Sequence, residues 1–343
     1  MSIYEIAQKA KVSPSTVSKV INGGVGVSQE VRERIQKIIQ EESFVPKTSV
    51  NVINNIAVVS RGGDPTTGIF YSNFLIGLMR GVSEYAFEHN YNITLYPSVV
   101  IPKVKAQFVT FCRKQRLSGM IFGNLRRDDY FIEEIAGAIP IVTVNSHFKG
   151  EKLYSICSDD FTGMYNAVKY LYEMGHRRIA FATVGLFFDS NQEKLEGYKK
   201  AIHDLQIPLD NEYIFDSTEI TPTSVCHWFE RMKLAEKMPT AILTMNDEEA
   251  IRIINYLRLV GVMCPRDVSI VGYDDYDFAA DVNPALTTVK QVLYEKGKLA
   301  AQIACGGPTD SFQSERDEEG RYLFKTQLVV RDSARRIDES QMG

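Results

Sequence analysis

The chain has 343 residues, 44% of them hydrophobic and 24% charged, with a formal net charge of −4 at pH 7. That is globular composition with length for two or three cores. No apolar run reaches the roughly 18 residues of a membrane helix, and no charged segment leads into an apolar stretch of the kind a secretion signal needs, so a cytoplasmic address without membrane attachment is expected. Five cysteines (Cys112, Cys157, Cys226, Cys264, Cys305) and five histidines (His89, His147, His176, His203, His227) show no C-x-x-C or H-E-x-x-H spacing. The thiols read as buried, and no metal, cofactor or catalytic group is expected.

Ser2-Ile3-Tyr4-Glu5 has the form of a capping box and predicts a helix start. Ile3, Ile6, Ala7 and Ala10 keep the spacing of one buried face, and the pattern stops at Lys11-Val12. Ser13 as N-cap and Pro14 at the first helical position open a second helix, with Val17, Val20 and Ile21 as its buried stripe and Gly23-Gly24 at its end. Ser15, Thr16, Ser18, Lys19 and Asn22 fall off that stripe. A third helix begins near Ser28, carries Val31, Ile35, Ile38 and Ile39, and runs out around Glu42. Three short helices with a tight turn between the first two form a helix-turn-helix arrangement. Short hydroxylated side chains on the second helix let a backbone approach DNA phosphates, while a few longer groups reach base edges. The alternative is a small helical subdomain with a solvated face. Charge does not decide between them, since residues 1–48 hold seven basic against five acidic residues.

The run "SIYEIAQKAKVSPSTVSKVINGGVGVSQEVRERIQKIIQEESFVP" resembles, without a gap, the DNA-binding headpiece of the lactose-repressor (LacI/GalR) family of bacterial regulators. The resemblance implies that Ser13, Thr16, Ser18 and Asn22 contact phosphates, that Pro14, Ser15 and Lys19 face the bases, and that Tyr4 also touches DNA. Most members place Arg where this chain has Lys19. A lysine is a compact single charge and not a planar fork, so base discrimination there differs.

Between Pro46 and the first strand at Ile56 lies only "KTSVNVINN". This is shorter than the family's hinge segment, and its Val50, Val52 and Ile53 favour extended structure. Either the minor-groove wedge of relatives is absent or Val52 or Ile53 supplies it, with reduced operator bending. A simple tether is the alternative.

From Asn55 onward strand and helix signals alternate. "NIAVVS", "NITLY", "LSGMIFGN" and "IPIVTVN" read as strands, with "FLIGLMRGVSEYAFEHNY" and "KVKAQFVTFCRKQR" as helices between them. The pattern restarts after Ser158 with strands "HRRIAFATV", "PTAILTM" and "DVSIVGY" and helices at 162–174, 190–205, 222–235 and 247–260. Continuous apolar strands between helices mean parallel sheets covered on both faces. Two such lobes form a cleft at the carboxyl ends of their strands. The segment "CGGPTDSFQSERDEEGRYLF" (305–324) reads as a solvated loop.

Family resemblance extends over most of 55–335 through "MGHRRIAFA", "EKLEGYKKAI", "MNDEEAIRIINYLRLVGVMCPRDVSIVGYDD", "NPALTTVKQ" and "LVVRDS". Candidate effector contacts are short polar groups at strand ends: Asn145, Asn246, Asp247, Asp274, Asp275 and Gln291. The resemblance implies that Asn145, Lys194, Asn246, Asp274 and Gln291 bind the effector, with Asn145 in place of the family's usual Asp and Lys194 in place of its usual Arg, and Phe74 and Ser190 are expected beside them. Asn246-Asp247 equally serves to cap the following helix, and Asp275 reads as a turn residue. Phe70, Tyr71, Phe74, Phe187 and Phe188 are expected in loops facing the cleft and are candidate platforms for a sugar ring.

The expected architecture is α/β: a headpiece at 1–46, a linker at 47–55, a two-lobed periplasmic-binding-protein-like body at 56–335 (lobes at about 56–157 and 158–288, with a late crossover) and a tail at 336–343. The expected function is a non-enzymatic, homodimeric transcriptional repressor that binds operator DNA under control of a small molecule, most simply a sugar. A solute-binding receptor and an enzyme on the same two-lobed scaffold are the rival readings. Induction and corepression are left open, as is the choice between dimer and tetramer.

Overall fold

A computed structural model describes residues 3–21, 24–41, 54–60, 72–217, 220–308 and 315–337. The chain divides into two compact units, Met1–Ile53 and Asn54–Gly343. In the first, helices α1 (Ile3–Ala10), α2 (Pro14–Ile21) and α3 (Gln29–Glu41) bury Ile6, Ala7, Ala10, Val17, Val20 and Ile35 against one another. The turn between α1 and α2 is made by Lys11 in the left-handed region (φ 52°) and by Val12 N–H donating to the Ala7 carbonyl at 3.0 Å. Ser13 then caps α2, its Oγ accepting from Thr16 N–H at 3.2 Å. Ser2, Asn22 and linker residues 47–53, with Val50, Val52 and Ile53, lie outside the described residues, and Asn54 and Asn55 open the first strand of the body.

The second unit holds two sheets. The strands are β1 (Asn54–Ser60), β2 (Tyr91–Pro97), β3 (Leu117–Gly123), β4 (Ile141–Val144), β5 (Leu153–Ser158), β6 (Ile179–Val184), β7 (Ile214–Ser217), β8 (Ala241–Thr244), β9 (Ser269–Asp274), β10 (Thr287–Lys290), β11 (Glu315–Arg316), β12 (Tyr322–Phe324) and β13 (Gln327–Val329). The first sheet runs β11, β12, β5, β4, β3, β1, β2, and the second β13, β10, β9, β8, β6, β7. All pairings are parallel except β11 with β12 and β13 with β10.

Helices α4 (Asn73–Glu88), α5 (Lys105–Gln115), α6 (Phe131–Ile135) and α11 (Leu293–Ala304) cover the first sheet. Helices α7 (Asp160–Glu173), α8 (Asp189–Asp204), α9 (Pro222–Leu234) and α10 (Asp247–Leu259) cover the second.

Alternation along each strand explains the two-sided cover. Ile56 and Val58 enter the core under α4 and α11, whereas Ala57 and Val59 enter the one under α5 and α6. Ile179 and Phe181 likewise face α7 and α8, while Ala180 and Ala182 face α9 and α10. The chain crosses between lobes three times, after β5, after β10 and after β12. The first lobe is therefore completed only by α11 and β12.

One expectation is corrected. Of the stretch 305–324, residues 315–324 are not a solvated loop: β12 joins the first sheet beside β5, Tyr322 is buried, and Arg321 pairs with Asp317 and with Glu193 of α8. Charged residues hid a strand that adds to a sheet edge through its backbone. Helix α11 also carried no prediction.

Helices α4 and α11 touch backbone to backbone. A Cβ on Gly297 would sit 2.0 Å from the Leu78 carbonyl oxygen, and one on Gly81 equally close to that of Tyr294. Gly297→Ala is therefore expected to lower unfolding stability by about 3 kcal/mol through overpacking, read as a lower urea midpoint.

His176 is fully buried between Thr240 Oγ1 (2.9 Å from Nδ1) and the Arg335 carbonyl (3.0 Å from Nε2), pinning the C-terminal strap to the second lobe. Burial lowers its pKa from 6.5 to about 4. The unfolded chain thus takes up a proton that the folded chain refuses as pH falls from about 6.5 towards 4, and stability drops by up to about 3 kcal/mol across that window. His176→Gln should flatten this part of the stability–pH curve.

Candidate functional site

On α2 the exposed residues are Ser13, Pro14, Ser15 and Lys19, with Thr16 and Ser18 half-buried, while Tyr4 on α1 is 75% exposed. The Ser13 hydroxyl lies 2.7 Å from that of Ser15 and 2.9 Å from that of Thr16. The helix contains no acidic residue, so its positive N-terminal end and Lys19 present one sign of charge. This surface suits a polyanion.

In the body, the carboxyl ends of the strands of both sheets meet at a seam. A cavity of about 190 Å³ lies there, and the structure brings all seven sequence-predicted effector residues, Phe74, Asn145, Ser190, Lys194, Asn246, Asp274 and Gln291, to its wall. Phe74 is the second residue of α4 and is not in a loop, and Phe188 precedes α8 beside the cavity. Phe187 is directed outward to stack on the Arg126 guanidinium, 4.1 Å from the ring centre. Phe70 and Tyr71 are outside the described residues.

Asn145 directly after β4 has φ 59°, Asp274 at the end of β9 has φ 109°, and Asn124 directly after β3 has φ 52°. Asn and Asp are the non-glycine residues that tolerate this region best. Burial raises the Asp274 pKa to about 6, opposed chiefly by the Lys194 charge. Gln291 Nε2 donates to Asp274 Oδ1 at 2.6 Å. Lys194 is buried, its Nζ 3.9 Å from the centre of the Tyr273 ring and donating to the Met245 carbonyl at 2.9 Å.

Asn246 does cap α10: its Oδ1 accepts from Glu249 N–H at 2.8 Å while the residue also lines the cavity. Its neighbour Asp247 points away, accepting from Thr288 Oγ1 and Tyr276 N–H, and burial together with Asp274 raises its pKa to about 8. Asp275 turns from the cavity to pair with Arg331 at 2.7 Å.

Sequence reasoning missed several wall residues. Asn124 follows a strand as Asn145 does, and the same strand-end rule would have found it. Asn191, Glu248 and Tyr276 also line the cavity. Behind the wall Lys296 and Asp160 are buried, and the signal for Lys296 is a charged residue on the apolar stripe of α11 beside Leu293, Gly297 and Ala300.

The lobes are joined around the cavity by polar contacts. Asn73 Nδ2 donates to Glu248 Oε1 at 2.6 Å, Arg127 N–H donates to the Phe187 carbonyl at 3.0 Å, and His147 N–H donates to Asp189 Oδ2 at 2.9 Å. Arg127 and Asp189 pair at 3.2 Å, and Arg321 pairs with Glu193. Most of these partners on the second lobe belong to the first turns of α8 or the segment just before it.

Among the described residues no group of His, Cys, Asp and Glu is placed to hold a metal ion, and no helix is long and apolar enough to cross a membrane.

Residues 2–47 match the model of bacterial regulatory proteins of the lacI family, and residues 168–334 match a periplasmic binding protein-like domain. The chain is 26% identical to the transcriptional repressor PurR of Vibrio vulnificus over 98% of its own length and 99% of the relative's. In fold it is similar to the Lac repressor dimer bound to operator and the anti-inducer ONPF (TM-score 0.73, 21% identity, 98% and 99% of the two chains). It is also similar in fold to the regulator CelR in complex with cellobiose (TM-score 0.67, 24% identity, 97% and 100%). The chain thus joins a DNA-binding unit matched by the lacI family of bacterial regulatory proteins, at residues 2–47, to a body of which residues 168–334 match a periplasmic binding protein-like domain.

Proposed function

We propose that the protein is a homodimeric transcriptional repressor whose operator affinity is set by a small polyhydroxylated molecule, a sugar or sugar derivative, held between the lobes. The observation that carries the effector reading is the convergence of Phe74, Asn145, Ser190, Lys194, Asn246, Asp274 and Gln291 on one cavity. A carboxylate facing amide and ammonium donors matches hydroxyl groups, which both donate and accept. Phe74 and Phe188 offer apolar surface to a ring. A volume of about 190 Å³ is below that of drug-sized pockets and favours a small ligand. The cellobiose in CelR and the ONPF in the Lac repressor support the same class.

The two halves of α8's first turns have different duties. Ser190 and Lys194 line the cavity, whereas Asp189 and Glu193 hold Arg127, His147 and Arg321 of the other lobe. A ligand that displaces this helix thereby changes the angle between lobes, and each protomer's headpiece reads half of a roughly twofold operator in successive major grooves. A repressor works where the chromosome is, in the cytoplasm. Neither rival matches as well: a solute receptor has no use for a helix-turn-helix, and Asp274 and Asp275 do not form a catalytic carboxylate pair because Asp275 is committed to Arg331.

Lys19→Ala is expected to weaken operator binding by about 1–3 kcal/mol with an unchanged melting temperature, measured by fluorescence anisotropy on a promoter fragment. A thermal-shift screen of sugars, nucleobases and their phosphates should give a binder whose affinity differs with and without saturating operator, since coupling is reciprocal. Equal affinity in the two states would overturn the proposed regulation.

A further inference from the structure

We infer that Lys296 is a positioning residue of the effector cavity: from the seam between the lobes it turns the Asn145 amide nitrogen towards the ligand and, through Gln291, orients Asp274, giving the cavity one donating and one accepting wall. The inference rests on the effector reading above and deepens it.

Lys296 lies on the buried stripe of α11 with no exposed surface. Its Nζ donates to Asn145 Oδ1 at 2.7 Å and to Gln291 Oε1 at 2.8 Å. An ammonium only donates, so the atoms facing it must be amide oxygens, and the orientation of both amides is chemically forced. Gln291 Oε1 also accepts from Ser158 Oγ at 2.8 Å, and its Nε2 donates to Asp274 Oδ1 at 2.6 Å, which occupies both ends of that amide. Asn145 turns its Nδ2 to the cavity side, and the Asp274 carboxylate, which the Tyr276 hydroxyl also bonds, retains lone pairs there. A ligand therefore meets a donor on the first lobe and an acceptor on the second.

The location adds a mechanical role. Asn145 and Lys296 belong to the first lobe and Asp274 to the second, while Ser158 and Gln291 stand at two of the three crossings. A ligand bridging Asn145 and Asp274 closes a ring of hydrogen bonds through the hinge itself. The other charged or titratable groups around the ammonium are Asp160 at the start of α7, Cys157 on β5, Asp274 on β9 and Lys194 on α8. Two carboxylates against one further cation make the buried charge tolerable. Burial lowers the Lys296 pKa to about 8 and that charge in turn helps to hold down the pKa of Asp274.

The test uses the full-length protein, Lys296→Met, which keeps length and removes charge, and Asn145→Asp, which keeps an oxygen for Lys296 but replaces the donor facing the cavity. The ligand-free arm measures urea stability against pH. Between about 8 and about 10.4 the unfolded chain binds a proton at Lys296 that the folded chain has lost, so wild-type stability rises there relative to Lys296→Met. At acid pH, stability falls as pH climbs towards the Asp274 pKa of about 6, and without the ammonium this fall continues to higher pH. Curves that run parallel in both windows overturn the inference.

The ligand arm titrates D-ribose, D-glucose and cellobiose. Whichever sugar binds the wild type should lose at least tenfold in affinity for both variants. Undiminished binding by Lys296→Met overturns the inference. If none of the three binds the wild type, the sugar reading loses support and the ligand-free arm alone decides the role of Lys296.

Discussion

The seam between the sheets is governed by one constraint of parallel pairing: neighbouring strands all end on the same edge, so the chain must break from extended geometry at several adjacent points at once. It does so at Asn124, Asn145, Asp274 and Asp275, each with positive φ. After glycine, short side chains that bond locally accept that backbone at the lowest cost. The residues the turns require are thus the same polar groups a hydroxylated ligand needs, and three of the four line the cavity. The polar lining of this cavity is a by-product of how the sheets stop.

That arrangement leaves charge to be managed. Asp160, Asp247, Asp274, Lys194 and Lys296 are all buried near the seam. Asp160 accepts from the Tyr273 hydroxyl at 2.8 Å, and Asp247 is raised to a pKa of about 8 and so is largely neutral at pH 7. The remaining groups oppose one another across the cavity. Contacts that join the lobes are mostly polar and partly exposed, the kind that exchange readily for water when lobes move. The fully buried apolar clusters, by contrast, each lie within one lobe, with Tyr276 of the second lobe packing against a cluster of the first.

Much of this was legible in the residues. Helices α1 to α3 follow from Ser13-Pro14 and from the spacing of Ile6, Ala10, Val17, Val20 and Ile35, because capping and amphipathic period are local properties. The strand ends pointed to Asn145, Asp274 and Gln291 for the same reason. Lys296 was missed because its meaning depends on partners 151 and 5 residues away and on a helix closing the lobe late in the chain. The charged segment around Arg321 was misread because β12 is held by backbone pairing to β5 and by an ion pair to α8, neither visible in composition.

The late arrival of α11 and β12 matters while the protein is being made. As the ribosome proceeds, the headpiece emerges first and can close its small core immediately, whereas Ile56, Val58 and the inner face of α4 wait for α11 some 240 residues downstream. Most of the second lobe is translated in that interval. A nascent chain therefore carries a finished DNA-reading module on an unfinished, sticky first lobe, a state in which chaperone cover is most useful. Messages cut short before α11 would release headpieces with no competent body to govern them.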